Sequence, residues 1–373
     1  MRAVRLFHTS DTHLGHSQYA RTDAHGLNQR AQDIATAFLA VIDHAVAEKP
    51  DLFVHAGDLF DGVRPGNRAL ATAMDGFARL ARAGVPTVVI AGNHEHPKLR
   101  ETGSPFRIFD GHLPGVRFVY KGARETLELP GGVRVHAVPQ CQDNDTLGRE
   151  IREAPVAADG IDILVAHGGV ASLPAFSHAE ANELTLEPAW FRPFHYVALG
   201  HYHGAQEVAP NAWYCGALER VSIAEAGQEK GFLDVLVTRA SAKPAFRPLR
   251  TRPYVDLPGL DCKGQPADAI QHQALGAIAR VPDGAVARLR LKELDPSLRG
   301  GLDLRALRQA GDRLVHLEVR PEWADGGLDV RGGTELGGLA AEFDAFAAHQ
   351  PVEGVDRARL LELAHAALRG DPL

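Results

Sequence analysis

At 373 residues the chain is longer than one typical domain, and its 45% hydrophobic and 23% charged residues are an ordinary globular mixture. No apolar run approaches the roughly 20 residues a membrane helix needs, and the first residues read as a strand, so neither an integral membrane protein nor a secreted one is expected. The net charge of -7 argues against a protein coated with nucleic acid, and three scattered cysteines, Cys141, Cys215 and Cys262, argue against a disulfide framework or zinc ribbon and for a reducing cytoplasm.

Five segments share a pattern, a short β-branched apolar run that stops at polar ligand-type residues. They are V-R-L-F-H-T-S-D-T-H (4–13), L-F-V-H-A-G-D (52–58), T-V-V-I-A-G-N-H-E (87–95), I-D-I-L-V-A-H-G (161–168) and Y-V-A-L-G-H-Y-H (196–203). Such runs read as buried strands. Between the first two, Ile34, Phe38, Ile42 and Ala45 fall on one helical face, and Leu70, Met74, Phe77 and Leu80 do much the same before the third. Helices linking parallel strands make a layered α/β domain, assigned to residues 1–239, with ligands at the carboxyl ends of its strands.

Strand signals continue at Trp213, Tyr214 and 231–237. Residues 240–253, with Pro244, Pro248 and Pro253, read as a junction. Residues 254–320 read as a smaller α/β module with helices near 267–279 and 304–310 and strands near 285–291 and 314–319. A Gly-rich linker (325–338) and helical spacing at 339–348 and 357–368 complete a tail, 321–373, in which Leu360, Leu361, Leu363, Ala364 and Leu368 form an apolar stripe. Residues 240–320 hold 14 basic against 9 acidic residues, and four of the basic ones lie in 240–253 with no acid among them. That segment is a candidate phosphate-contacting surface, the bland alternative being a solvated face.

The strand ends carry the chemistry. Asp11 and His13 place two metal-binding side chains on one side of an extended segment. Alone, a D-x-H is ordinarily a turn carboxylate and a stray histidine. Here Asp58, Asn93, His94, His167, His201 and His203 follow at four further strand ends, which points to a dinuclear metal site. Two cations about 3.5–4 Å apart need a bridging ligand, and a carboxylate, Asp58, suits that role. Imidazole, carboxylate and amide without thiolate favour Mn(II) and leave Fe and Zn open. Such a site activates water and neutralises phosphoryl oxygens. His94 adjoins a ligand without being needed as one, so it is the candidate proton donor to the leaving oxygen.

The order D-x-H, G-D, G-N-H, H-G and G-H-x-H, over about residues 5–239, resembles the calcineurin-like metallophosphoesterases, which implies their layered α/β sandwich. Leu14-Gly15, Gly57-Asp58-Leu59-Phe60, Gly216-Ala217-Leu218-Glu219-Arg220 and Lys230-Gly231-Phe232 narrow the likeness to SbcD-type DNA repair nucleases. The 254–320 module is similar to that family's DNA-capping domain. The resemblance implies a Mn-dependent exonuclease or endonuclease in double-strand break repair, paired with an SMC-like ATPase and dimerising through helices of the first domain. It also implies one metal on Asp11, His13, Asp58 and His203 and another on Asp58, Asn93, His167 and His201. Docking of the ATPase on the tail's apolar stripe is a further expectation. A likeness to protein phosphatases of the same superfamily implies that Asp61, in G-D-L-F-D, orients His94.

The sequence departs from the family pattern at Cys215 (Pro), Ala217 (Ser) and Glu95 (Asp). Asp61 stands where archaeal members carry histidine, which leaves the acid-base arrangement open. Arg21 and Arg64, in loops, are candidate DNA contacts, with a solvated role equally compatible. His8, His55 and His136 are expected to be packed, and His96 to lie near the cleft. Rival functions are a phosphomonoesterase or cyclic-nucleotide phosphodiesterase, or a DNA-binding scaffold with a vestigial site; a scaffold has no chemical need for all seven ligands.

Overall fold

The computed structural model describes residues 3–97, 99, 101–170 and 183–324, with 358, 359, 361 and 363–365 of the tail. Two six-stranded sheets form its larger part. The first holds β1 (Val4–Thr9), β2 (Leu52–Ala56), β3 (Thr87–Ile90) and β4 (Val116–Val119), and the second β5 (Glu125–Leu129), β6 (Val133–Val138), β7 (Ile161–His167), β10 (Tyr196–Gly200), β11 (Gln206–Ala209) and β12 (Ala212–Tyr214). Between β7 and β10 a separate two-stranded pair forms from β8 (Gly169–Val170) and β9 (Thr185–Leu186). The chain then returns to the first sheet as β13 (Gly231–Val237) and β14 (Ala242–Pro248), giving the orders β14-β13-β1-β2-β3-β4 and β11-β12-β10-β7-β6-β5.

Strands β1 to β4 run parallel. Their connections include the helices α1 (Gln29–Glu48) and α2 (Asn67–Ala83). The Asn28 side chain caps α1 by accepting from the Arg30 and Ala31 amides, and α2 ends at Gly84, whose φ of +72° is the left-handed turn glycine tolerates best. Ile34, Phe38, Ile42 and Ala45 are all buried, as their spacing predicts; in α2, Phe77 and Leu80 are buried, while Leu70 and Met74 pack only in part. Leu6, Val54 and Ile90 of the first sheet meet Val135, Val165 and Tyr196 of the second in a core between the sheets. Each such side chain contributes about 1.5–3 kcal/mol by burial. With α3 (Asn144–Arg152) outside the second sheet, the domain is an α/β sandwich with helices on both outer faces.

Two parts of the sequence reading change. The region 97–160 gave no elements, yet it supplies β4, β5, β6 and α3. The expected junction is largely a strand: β14 pairs antiparallel with β13 from Gly231↔Pro248 to Val237↔Ala242. Its prolines sit on the outermost strand of the sheet, where a missing ladder N–H is tolerated.

The smaller module has β15 (Tyr254–Asp256), β16 (Leu260–Asp261), α4 (Ala267–Ala279), β17 (Val286–Leu294), α5 (Leu304–Ala310) and β18 (His316–Trp323), close to the expected order. Strands β15, β16 and β18 all run parallel to β17, and Ile270, Ala274, Ile278 and Leu307 of the helices close its core. Arg252 fastens the module to the sandwich: it ion-pairs with Asp33 of α1 at 2.5 Å and donates to the Gly284 carbonyl. The Tyr19 ring stacks on His316 at 4.0 Å. The linker 325–338 and the helix at 339–348 lie outside the described residues, as do Leu360 and Leu368 of the apolar stripe; Leu361, Leu363 and Ala364 are helical. No helix among the described residues is long and apolar enough to cross a membrane.

Candidate metal centre

The site is built where β1, β2, β3, β7 and β10 end. The loops after β1 and β2 are tied by main-chain bonds: the amides of Asp11, His13 and Leu14 donate to the carbonyls of Gly57, Asp58 and Leu59 at 2.8–3.0 Å. Of the seven non-glycine residues with positive φ among the described residues, four are Asp11 (50°), His13 (52°), Asp58 (54°) and His201 (120°). Such conformations cost about 1–3 kcal/mol each and persist where the surroundings enforce them. The flanking glycines are required by space: a Cβ on Gly57 would strike the His167 ring, and one on Gly92 the Asp58 carboxylate.

The predicted ligands come together. Asp11, His13 and His203 each bring a ligand atom within 4.8 Å of the others; so do His13, Asp58 and His94, and so do Asp11, Asp58 and His167. Asp11, His13 and Asp58 each belong to two of these groups, and all three are buried. Asn93 enters through its side-chain oxygen, 2.9 Å from His167 Nε2. The His201 ring lies beside that of His167, centroids 5.4 Å apart, with its Nε2 3.3 Å from the Glu183 carboxylate, while its amide donates to both Asp11 oxygens. Arg21 and Arg64 are exposed. Arg64 lines an open depression of about 510 Å³ together with Leu70, Ser104 and Arg107.

These groups fit cations. His167 Nδ1 faces the Ala56 carbonyl at 2.8 Å, so a neutral ring carries its hydrogen there and leaves Nε2 as a bare acceptor. That nitrogen looks at two more acceptors, Asn93 Oδ1 and, at 3.4 Å, Asp58 Oδ2. His13 Nε2 and His203 Nε2 face each other at 3.1 Å, and the Nδ1 of each lies beside a carboxylate, Asp61 at 3.4 Å and Glu225 at 3.1 Å. Where neither facing nitrogen carries a hydrogen, such acceptors repel unless positive charge sits among them, and a proton or a cation can supply it. The same field acts on protons. Burial opposes charge on His167, but the Asp58 carboxylate outweighs it and pushes the imidazole up to about 9. Burial likewise opposes ionisation of Asp58, and His167, His13 and His94 overcome it, holding the carboxyl below its usual range. Burial dominates at His13, whose pKa falls.

His94 is partly exposed at the edge of the site, with Nε2 3.9 Å from Asp58 Oδ2. Burial lowers its pKa and Asp58 raises it, the net direction being upward. The expected Asp61–His94 carboxylate pair is corrected: it is the main-chain carbonyl of Asp61 that lies 3.0 Å from His94 Nδ1, whereas the carboxylate faces His13 and His16, at 3.4 and 3.2 Å. The turn after Phe60 presents the carbonyl to one histidine and the side chain to two others.

Four residues at the site were not read as such. Glu95 is buried and accepts from the amides of Phe60 and Gly92, tying the G-D and G-N-H loops together; burial and the Asp58 charge push its carboxyl up to about 8. Ser10 donates to the Asp11 carboxylate and lies 3.0 Å from the buried Cys215 sulfur. Glu183 and Glu225 sit far along the chain in segments without a motif. His8, His55 and His136 are buried, and each is hydrogen-bonded, to Tyr196 and the Leu199 carbonyl, to Thr12, and to Thr126 and Asp162, as the packed reading expects.

Histidines, carboxylates and an amide converging at the strand ends of an α/β sandwich define a cation-binding hydrolase centre. The chain matches the calcineurin-like phosphoesterase model over residues 4–205, more than half its length, and belongs to that family. It is similar to the DNA double-strand break repair protein Mre11 of Haloferax volcanii, 31% identical over 263 residues, covering 69% of this chain and 55% of that protein. The Mre11 protein of Sulfurisphaera tokodaii is 31% identical over 205 residues, 54% of this chain and 50% of that one. The chain thus spans about half the length of these curated relatives. Among solved structures, TT1561 of Thermus thermophilus covers 66% of this chain and 99% of its own, with a TM-score of 0.40 and 12% identity.

Proposed function

We propose that the chain hydrolyses DNA phosphodiester bonds with two divalent cations, Mn(II) being the favoured pair. The observation that carries the metal reading is the set of facing acceptors: His13 Nε2 against His203 Nε2, and His167 Nε2 against Asn93 and Asp58. Asp11, His13, Asp58 and His203 would hold one ion and Asp58, Asn93, His167 and His201 the other. Bound there, the ions supply water activation and compensation of phosphate charge. The rest falls to the chain. The Asp61 carbonyl takes the His94 Nδ1 hydrogen and so aims Nε2 toward the cleft. Protonated, that imidazole can donate to the leaving oxygen. Glu95 holds the two loops that carry Asp58 and Asn93 in register.

The DNA reading rests on the likeness to Mre11 proteins and on the added 254–320 module. Arg21 and Arg64 would touch the phosphate backbone, and the cytoplasm is the compartment proposed. Partnership with an SMC-like ATPase and a homodimer through helices of the sandwich belong to the same proposal. The domain division is a nuclease domain reaching Pro248 rather than 239, a short junction, a capping module and a tail. The test offers the purified chain, with Mn(II), a linear duplex, a single-stranded circle, a small phosphodiester and a small phosphomonoester. DNA cleavage that chelator abolishes is expected. Turnover of the monoester alone would replace the nuclease by a phosphatase, and no hydrolysis by a chain with bound metal would leave the scaffold.

A further inference from the structure

The Gly216–Arg220 and Lys230–Phe232 motifs frame a group of buried charges that the ligand set leaves unexplained. Ser222 caps a short 3₁₀ turn, Ile223–Glu225, with its hydroxyl accepting from the Ala224 amide. Glu225 Oε1 lies 3.1 Å from His203 Nδ1, and Glu225 Oε2 pairs with the Lys230 ammonium at 2.5 Å. The Lys230 side chain is 0% exposed. It also donates to the His203 carbonyl at 2.7 Å and to Gln228 Oε1 at 2.8 Å. His203 is therefore held at its ring and at its main chain by two residues that hold each other. Arg220 fixes the turn from the other side, donating to the carbonyls of Glu225 and Gln228, and it reaches Thr251 and the Arg252 carbonyl on the way to the capping module.

Burying an ammonium and a carboxylate costs several kcal/mol per ion unless their geometry is good, so a pair that served packing alone would be no better than apolar side chains of the same volume. The pair does something apolar residues cannot. A carboxylate only accepts, so its presence at Nδ1 keeps the ring hydrogen there and leaves the Nε2 lone pair free on the side that faces His13. We propose that Glu225, seated by Lys230, is a positioning residue that fixes His203 in the tautomer and orientation in which Nε2 serves as a metal ligand. The proposal rests on the cation reading given above.

Two double variants of the full chain separate this role from mere ion-pair burial. E225Q/K230M removes both charges but keeps an acceptor for Nδ1–H; E225L/K230M removes the charges and the acceptor. Mn2+ binding is measured by equilibrium dialysis with metal analysis, and the His203 tautomer by ¹⁵N shifts of histidine-labelled, metal-free protein. The wild type should take up Mn2+ and show hydrogen on Nδ1 of His203. E225Q/K230M should bind within a few-fold of wild type, and E225L/K230M should lose about 10- to 100-fold in affinity for one of its two ions. Equal affinities in the two double variants, or hydrogen on Nε2 of His203 in the neutral wild-type ring, would overturn the role of Glu225. The ¹⁵N measurement needs no variant and stands even if E225L/K230M does not fold. A wild type that takes up no Mn2+ would overturn the cation reading itself, and this role with it.

Discussion

The metal centre and the segment 240–253 stand out in the sequence for the same reason, a local excess of one kind of polar residue, and the structure treats them oppositely. At the centre ring nitrogens and oxygens that can all act as acceptors lie face to face, an arrangement that a proton or a cation completes. In 240–253 the need is met within the chain. Arg247 ion-pairs with Glu48 and Asp234, and Arg252 with Asp33, so of the segment's four basic residues only Lys243 and Arg250 remain exposed and without such a partner among the described residues. A cluster of like ligands that cannot satisfy itself points to something from outside; a cluster of charge does so only after its counter-charges have been found.

The strongest way to break this contrast is at Asp58. Asp58→Asn keeps the shape but removes a buried carboxylate that lies 3.4 Å from His167 and 3.9 Å from His94. Hydrolysis should vanish and bound Mn2+ should fall, while thermal melting stays cooperative; wild-type cleavage with full metal content would refute the bridging role. Next in size is His94, which should matter for turnover and little for metal. His94→Ala should lower kcat by about 10²- to 10⁴-fold with metal occupancy retained. Because Asp61 meets His94 through its carbonyl, which Asp61→Asn leaves in place, only the charge of its carboxylate links the two side chains, and a double-mutant cycle should show weak coupling, about 0.5 kcal/mol. Strong coupling on kcat would restore the carboxylate–imidazole dyad that the sequence suggested.

A smaller effect belongs to the partner side. Glu48, at the end of α1, accepts from Arg247 and Arg5, and these guanidiniums hold its carboxyl down at about 2, below the ordinary 4.5. Its contribution to stability is therefore complete above pH 4.5 and is lost as the pH falls toward 2. With solvent screening of a partly exposed group allowed for, that contribution is about 1–2 kcal/mol. Glu48→Gln should destabilise by that amount in urea melts at pH 7 and make stability less dependent on pH between 4.5 and about 2. An unchanged acid profile would mean that Arg247 is not committed to the sandwich.

What was legible follows from the same contrast. Strand ends with Asp, His and Asn could be read because chemistry restricts the residue type and the sheet restricts the place, and Asp11, His13, Asp58, His167 and His203 indeed converge. The smaller module's helices at Ala267–Ala279 and Leu304–Ala310 could be read because their apolar spacing is local. Glu225 and Glu183 could not, since each meets a histidine only after a long excursion of the chain and neither sits in a pattern. Strand β14 was hidden by its prolines, which argue for a junction unless one knows that the strand lies on the sheet's edge. The Asp61 error is of another kind: the right residue was chosen, but a turn offers two oxygens in different directions, and sequence does not say which one a neighbour meets.

The smallest effect tests what is left of the basic segment. If residues 240–253 still help to hold DNA, the work falls on Lys243 and Arg250, because both are exposed, while Arg247 and Arg252 are already paired with carboxylates. Each phosphate contact adds about 0.9 to the slope of log binding constant against log salt concentration. Replacing Lys243 and Arg250 together by alanine should therefore lower that slope by at most about 1.8 on duplex DNA, with hydrolysis of a small phosphodiester unchanged. Arg247→Ala should leave the slope alone and lower stability instead, since it leaves Glu48 and Asp234 with Arg5 alone and takes nothing from a phosphate. Were Arg247→Ala to lower the slope as much as the double variant, its ion pairs would have to exchange for DNA. The segment would then resemble the metal centre, awaiting an outside partner, more than its contacts in the folded chain indicate.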